Sequence, residues 1–336
     1  MRALRVVRPG ELAVETVPDP VPGPGEVLLA VEACGVCGSD LHLLQMDTVA
    51  PGQILGHEFS GRVLATGSQV RDWRPGDRAA VNPVGQCGRC RWCQSGMGFL
   101  CAEYPNLGIN APGGFAELAV VPVEQLYRLP EAVSFEVGAL IEPLAVAWRA
   151  VAVGRPRPDD RVLVTGAGMV GLCTTVALRA HGVQAITVVE RAENRRQVAS
   201  ALGARKVLGD FTDLARYAGP TSDRFDIAWE CSGAPDALSW LTRTVRPGGT
   251  LVQVALTGSM PKAAIWDFVN NGQALLASCA YDRDVYRQAY EWAIAHPDAL
   301  QPLLVHRKVG LSEAPDAFEW VRHPEAVVGA VVEPQR

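Results

Sequence analysis

The feature that most restricts this chain is a glycine-rich turn set between a strand and a helix. Residues 161–165 form a short apolar run that ends in Gly166-Ala167-Gly168-Met169-Val170-Gly171. A helical stretch to about Ala180 follows, and then a second apolar run, 186–189, that closes on Glu190. Glycines at this spacing mean little alone, but after a strand and before a helix each has a task. Gly166 permits a tight turn, Gly168 lets the backbone approach a pyrophosphate, and Gly171 lets helix and strand pack closely. Met169 and Val170 open the helix, whose N-terminus supplies partial positive charge. Glu190 stands where an acidic side chain accepts hydrogen bonds from an adenosine ribose and repels a 2′-phosphate. That favours NAD over NADP, although Arg191 and Arg195 lie where a phosphate could meet them, and both are carried as cofactor contacts.

The same alternation continues downstream. Residues 194–202 read as helix, and 206–208, 225–230 and 250–254 as strands, which implies a doubly wound parallel sheet. The part before about residue 150 reads differently. Short apolar runs at 26–31, 61–65, 79–81 and 118–121 are separated by turns such as Val21-Pro22-Gly23-Pro24-Gly25, the pattern of a small barrel or sandwich. Helical periodicity at 285–295 and 315–322 precedes a last apolar run at 326–332. With 336 residues in all, two domains are expected.

Charge narrows the function classes. There are 31 basic and 36 acidic residues, a formal net charge of −5, with the signs interspersed. Neither nucleic-acid binding nor docking on an anionic membrane is expected from such a surface. Residues 1–7 lack the apolar core of a signal peptide and no apolar run approaches a membrane span, so a cytoplasmic protein is expected. In a reducing compartment nine cysteines argue for metal ligands or buried thiols and not for disulfides.

Four of them, Cys87, Cys90, Cys93 and Cys101, are spaced C-x2-C-x2-C-x7-C. Four thiolates so placed can converge on one tetrahedral ion with no open position, which describes a structural zinc site. The residues between them have little core of their own, so the metal would supply much of the lobe's folding free energy. An iron–sulfur cluster or clustered free thiols are the alternatives, and the spacing fits zinc better. Two further groups of possible ligands lie upstream, Gly35-Val36-Cys37-Gly38-Ser39-Asp40-Leu41-His42 and Gly56-His57-Glu58.

Taken together, these motifs resemble the zinc-dependent medium-chain alcohol and polyol dehydrogenases over essentially the whole chain. They come in that family's order, with Glu142-Pro143 between the cysteine lobe and the glycine turn, and the match is closest to the sorbitol, threonine and butanediol dehydrogenase branch. The resemblance implies an α/β protein of two domains. One is a β-rich, barrel-like (GroES-like) catalytic domain formed by residues 1–145 plus 281–336, and the other a Rossmann dinucleotide-binding domain at 146–280, with the active site in the cleft between. It implies that Cys37 and His57 bind a catalytic zinc, that Glu58 ligates the metal or sits beside it, and that Glu142 fills a further ligand position. Glu58 is slightly favoured over Glu142 for the resting state. Two departures are Gly38 and Gly329, where some relatives carry a basic residue near the cofactor. Cys34 is not expected to be a ligand, and Cys34, Cys173, Cys231 and Cys279 read as buried thiols.

The implied reaction is reversible oxidation of a small secondary alcohol (a polyol, vicinal diol, cyclitol or amino alcohol) by hydride transfer to nicotinamide. One catalytic and one structural zinc per chain are expected, with NAD as cofactor. Ser39 is placed to accept the substrate proton and His42 to pass it to solvent through the cofactor ribose, while Asp40 orients His57. The duller alternatives are that Ser39 caps a helix and His42 is a surface histidine. Two rival classes, a zinc-independent enone or quinone reductase of the same fold and a non-enzymatic NAD-binding protein, would have no use for this residue set. Residues 275–280 read as a sheet edge suited to pairing between nucleotide domains, so a homodimer or homotetramer is expected.

Overall fold

The computed structural model describes residues 1–46, 49–256, 262–304, 306–323, 325 and 327–336. The chain divides into two compact units, Met1–Ala145 with Tyr281–Arg336, and Val146–Ala280.

The first unit begins with β1 (Arg2–Arg8), β2 (Glu11–Thr16), β3 (Glu26–Gly35), α1 (Gly38–Leu44), β4 (Glu58–Thr66) and β5 (Arg78–Val81). It continues with α2 (Arg91–Gln94), β6 (Leu118–Pro122), β7 (Leu126–Arg128) and α3 (Phe135–Gly154), within which the division between the units falls. Against the expectation that no apolar run approaches a membrane span, α3 is apolar and long enough to cross one, but 78% of its most apolar stretch is buried inside the protein, as in a core helix.

The second unit is a regular alternation: β8 (Arg161–Thr165), α4 (Met169–Ala180), β9 (Ala185–Val189), α5 (Glu193–Ala201), β10 (Lys206–Leu208), β11 (Phe225–Glu230), α6 (Ala237–Thr244), β12 (Val245–Gln253), α7 (Ile265–Asn270) and β13 (Ala274–Ala277). The chain then returns to the first unit with α8 (Arg283–Ala295), β14 (His306–Val309), α9 (Ala314–Arg322) and β15 (Gly329–Val332). Ala326, where the last apolar run was expected to begin, lies outside the described residues.

In the first unit β3 is the hub. It pairs antiparallel with β4, β6 and β15, in a mixed sheet ordered β14-β15-β3-β4-β5-β7. Two register shifts in the β3–β4 ladder, at Leu28/Leu29 and at Val31/Ala33, locally increase bend and twist, as bulges do. The strand from the C-terminal end of the chain sets Val331 opposite Gly35 and Val332 opposite Cys34. Leu29, Val31, Phe59 and Phe115 lie in the core packed on these strands.

The second unit is a six-stranded parallel sheet ordered β10-β9-β8-β11-β12-β13. Three of its inner strands, β8, β9 and β11, are buried almost continuously, which is why they read as unbroken apolar runs. Trp229 on β11 is fully buried and its indole N–H donates to the Ala150 carbonyl at 2.8 Å. β13 has one neighbour, β12, and all four of its residues are exposed.

Candidate active site

The end of β3 and the start of β4 bring the first ligand cluster together. Gly35 and Glu58 are directly opposed in this ladder, and a Cβ on Gly35 would stand 2.3 Å from Glu58 Oε2. Glycine there leaves room for the carboxylate. α1 then starts at Cys37, which takes the N-cap position that Ser39 was weighed for. Asp40, three residues on, accepts the Cys37 N–H at 3.0 Å through Oδ2, the carboxylate half of a capping box. Its other oxygen, Oδ1, lies 3.3 Å from His57 Nδ1. That is close enough for an ion pair but not aligned as a hydrogen bond, so both buried atoms lack one.

Cys37, His57 and Glu58 each turn one ligand atom toward a common point, and the three atoms lie within 4.8 Å of one another. The Ser39 hydroxyl sits against two of them, donating to Cys37 Sγ at 3.2 Å and standing 3.4 Å from His57 Nε2. Glu142, on α3, contributes no atom to that group. Its Oε1 accepts the hydroxyl of Tyr281 at 2.9 Å. His42 lies on the exposed side of α1 and no hydrogen bond joins it to Ser39 among the described residues.

The charges in this cluster do not balance by themselves. Burial, with the Glu142 and Asp40 carboxylates nearby, pushes Glu58 up to about 8 against the pull of His57. Burial and then Glu58 push the Cys37 thiol up to about 11. Burial also lifts Glu142 above the usual carboxylate range. For His57 burial acts downward, but Asp40 and Cys37 outweigh it and raise it well above the ordinary imidazole value. A soft thiol, an imidazole and a carboxylate converging in a buried site crowded with acids are a donor set that a zinc ion fits and neutralises.

The four-cysteine lobe also converges, with Cys87, Cys90, Cys93 and Cys101 sulfurs all within 4.8 Å of one another. The Cys90 N–H donates to Cys87 Sγ at 3.3 Å and the Cys87 N–H to Cys101 Sγ at 3.5 Å. Burial acts against ionisation of Cys101, but backbone N–H groups of Cys87 and Glu103 and the thiols of Cys87 and Cys93 draw it down to about 7. Burial and the neighbouring thiols push Cys93 the other way, up to about 12, so it is the convergence of four sulfurs that marks the lobe as a cation site. Of the remaining cysteines Cys34 and Cys173 are buried, whereas Cys231 is half-buried and Cys279 exposed. The expectation of four buried thiols therefore fails for two of them, Cys279 because it follows the uncovered edge strand β13.

In the second unit Gly166 has φ +83°, a conformation glycine adopts freely, and a Cβ there would meet Ser232 Cα at 2.7 Å. Gly168 caps α4, with Met169 and Val170 in its first turn. A Cβ on Gly168 would meet nothing nearer than the Arg195 guanidinium at 3.9 Å, which places Arg195 over the turn. Arg191 is exposed. Glu190 is only 8% exposed and already engaged, with Oε2 accepting the Ala167 N–H at 2.7 Å and Oε1 the Ala192 N–H at 2.8 Å.

Two residues escaped the sequence reading. Glu230, at the end of β11, is 2% exposed. Its carboxylate accepts the Ser232 and Gly233 N–H groups, the Ser232 hydroxyl and the Gln253 amide. An acid ending an inner strand, as Glu190 does, was the available signal. Tyr281 offered none.

Comparison with known proteins completes the picture. Residues 23–131 match the alcohol dehydrogenase GroES-like domain and residues 169–295 the zinc-binding dehydrogenase domain. The L-threonine 3-dehydrogenase of Pyrococcus horikoshii is 33% identical over 337 residues, covering 96% of this chain and 95% of that one. A zinc-binding dehydrogenase of Sinorhizobium meliloti solved with NADP superposes with a TM-score of 0.89 at 32% identity, covering 99% of both chains. The 2R,3R-butanediol dehydrogenase of Bacillus subtilis gives 0.84 at 28% identity, again over 99% of both.

Two measurements check these sites. In Gly171→Ala the new Cβ would stand 1.9 Å from the Gly166 carbonyl oxygen, so a fluorescence titration should find dinucleotide binding weakened roughly tenfold or more while metal content is unchanged. Cys90→Ala should lose one metal ion per chain by elemental analysis and lower the thermal midpoint. A variant that lost the ion yet kept the wild-type midpoint would contradict a folding role for the lobe.

Proposed function

The chain belongs to the zinc-binding alcohol dehydrogenases, and on that premise we propose that Cys37, His57 and Glu58 hold its catalytic zinc, with Glu142 as a further carboxylate of the site. The protein is a zinc-dependent, NAD(P)-linked oxidoreductase acting on the CH–OH group of a small-molecule alcohol. The observation that carries the assignment of residues is the convergence of those three ligand atoms within 4.8 Å, with the Ser39 hydroxyl against two of them. The substrate we propose is a polyol, vicinal diol, cyclitol or amino alcohol, in keeping with acidic ligands and with threonine and butanediol dehydrogenases as relatives.

Zinc, when bound, acts as a Lewis acid on the substrate oxygen and lowers the alcohol's pKa. A bound nicotinamide would supply the hydride acceptor, and the proton released on oxidation must leave through the chain's own groups. Ser39 Oγ, which lies beside the ligand atoms, would take that proton while releasing its own hydroxyl proton toward solvent, so that the hydroxyl is restored. His42, one helical turn on and exposed, offers an imidazole on the solvent side. Asp40 sets the orientation of His57 from Oδ1 while its Oδ2 holds the start of α1. Four thiolates at Cys87, Cys90, Cys93 and Cys101 hold the second, structural zinc.

The cofactor turn comprises Gly166, Gly168, Met169, Val170 and Gly171, flanked by Glu190, Arg191 and Arg195. We propose NAD as its preferred occupant, because the Glu190 carboxylate, fixed by two amides, disfavours a 2′-phosphate at the end of β9. A cytoplasmic setting is supported by nine cysteines, none of which is paired in a disulfide. The exposed β13, with Leu275 at 48% and Leu276 at 39%, suits pairing with the same strand of a second copy, so we propose a homodimer or a tetramer built from such dimers.

Cys37→Ser should abolish turnover across a panel of polyols and amino alcohols while NADH affinity stays near the wild-type value. Near-normal activity in that variant would remove the zinc mechanism, and tighter binding of NADPH than NADH would remove the cofactor preference. Sedimentation at micromolar concentration should find dimers or tetramers, and a monomer there would sink the β13 pairing.

A further inference from the structure

We propose that Tyr281 is a positioning residue that holds Glu142 away from the metal, so that Cys37, His57 and Glu58 remain the resting ligands and the fourth position stays open. The inference rests on the reading of that cluster as the catalytic zinc site. Two carboxylates compete there, and they are almost equally buried, Glu58 at 4% and Glu142 at 6% exposure. Only Glu58 has turned an oxygen into the converging group. What distinguishes Glu142 is its partner, the Tyr281 hydroxyl, which donates to Oε1 at 2.9 Å.

Tyr281 cannot readily follow Glu142 if the carboxylate moves. Its side chain is fully buried and its ring packs on that of Tyr286, with centroids 5.6 Å apart. Tyr286 is pinned in turn, its hydroxyl donating to the Val81 carbonyl at 2.9 Å and its ring lying 4.8 Å from that of Tyr127. The backbone is anchored too, because the adjacent Asp282 caps α8 by accepting the Val285 N–H at 3.0 Å. The phenol is therefore a fixed donor, and Glu142 is the movable member of the pair.

The number of protein ligands decides what a zinc site can do. Four close it, as in a structural site, and three leave a place for substrate. A buried carboxylate needs a partner, and a hydrogen bond to a charged acceptor is among the stronger ones. While Tyr281 supplies it, Glu142 has no need of the metal. With the phenol gone, Glu142 would lose that partner, and a cation bound by the neighbouring Cys37, His57 and Glu58 would draw its carboxylate in and close the site. The residue thus sets the resting coordination number without touching substrate.

The test replaces zinc with cobalt in the full-length protein, because cobalt's visible bands report coordination directly. Wild type, Tyr281→Phe and Tyr281→Phe/Glu142→Gln are compared by spectrum and by the rate at which a chelator strips the ion. Tyr281→Phe should shift the bands and slow stripping by roughly tenfold, the factor that one such hydrogen bond represents. The double variant should restore both. Wild-type bands and stripping rate in Tyr281→Phe overturn the proposal. If that variant does not fold, Glu142→Gln alone decides. An unchanged cobalt spectrum supports a Glu142 held off the metal, and moved bands or a lost ion make it a resting ligand and overturn the proposal. Failure of the underlying zinc reading shows separately, as a cobalt content that Cys37→Ser leaves unchanged.

Discussion

One fully buried carboxylate, that of Asp40, ties the chemistry of the first unit to its fold. One oxygen holds the amide of Cys37 at the start of α1 and the other faces His57. Cys37 leaves the end of β3 and His57 precedes β4, so Asp40 bridges the two chain segments that supply the proposed ligands. The pairing of those strands does the rest, because Gly35 stands opposite Glu58 and has no side chain to displace its carboxylate. A slip of one residue in that ladder would turn Glu58 to the other face of the sheet. The C-terminal strand β15 locks the register from the far side by pairing with Gly35 and Cys34. A strand from the C-terminal end of the chain therefore steadies the segment that carries Cys37.

The second unit uses buried acids in the same way, for loops and not for metal. Glu190 gathers the amides of Ala167 and Ala192, and Glu230 those of Ser232 and Gly233. Both end inner strands at the carboxyl edge of the sheet, where parallel sheets carry their ligands. Gly166 and Ser232 then approach so closely that no Cβ fits on the glycine. The turn is thus shaped by the protein's own hydrogen bonds, and a dinucleotide entering it would meet amides already in position.

How much of this could be read beforehand followed from the physics of each element. The strands at 161–165, 206–208 and 225–230 agree with the structure to the residue, and the first and last of these are inner strands of a parallel sheet, buried on both faces and so unbroken apolar runs. β12 was read as starting at Thr250 and starts at Val245, because Arg246-Pro247-Gly248-Gly249 carries every mark of a turn. The strand nevertheless begins there, with Val245 opposite Phe225 across a register shift. β3 likewise runs on to Gly35, carried by partners from the far end of the chain that local pattern cannot show. Motif order was enough to nominate Cys37, His57 and Glu58. The family resemblance favoured Glu58 over Glu142 only slightly, and it could not show what engages Glu142, because Tyr281 lies 139 residues away.

The uncovered edge at β13 has a consequence for the life of the newly made chain. It presents unpaired backbone groups, flanked by Leu275 and Leu276 and, nearby in sequence, by Trp266 at 80% exposure on α7. Such an edge accepts any strand that meets it. A folded chain with that edge bare is therefore open to strands from other molecules, the more so as their concentration rises.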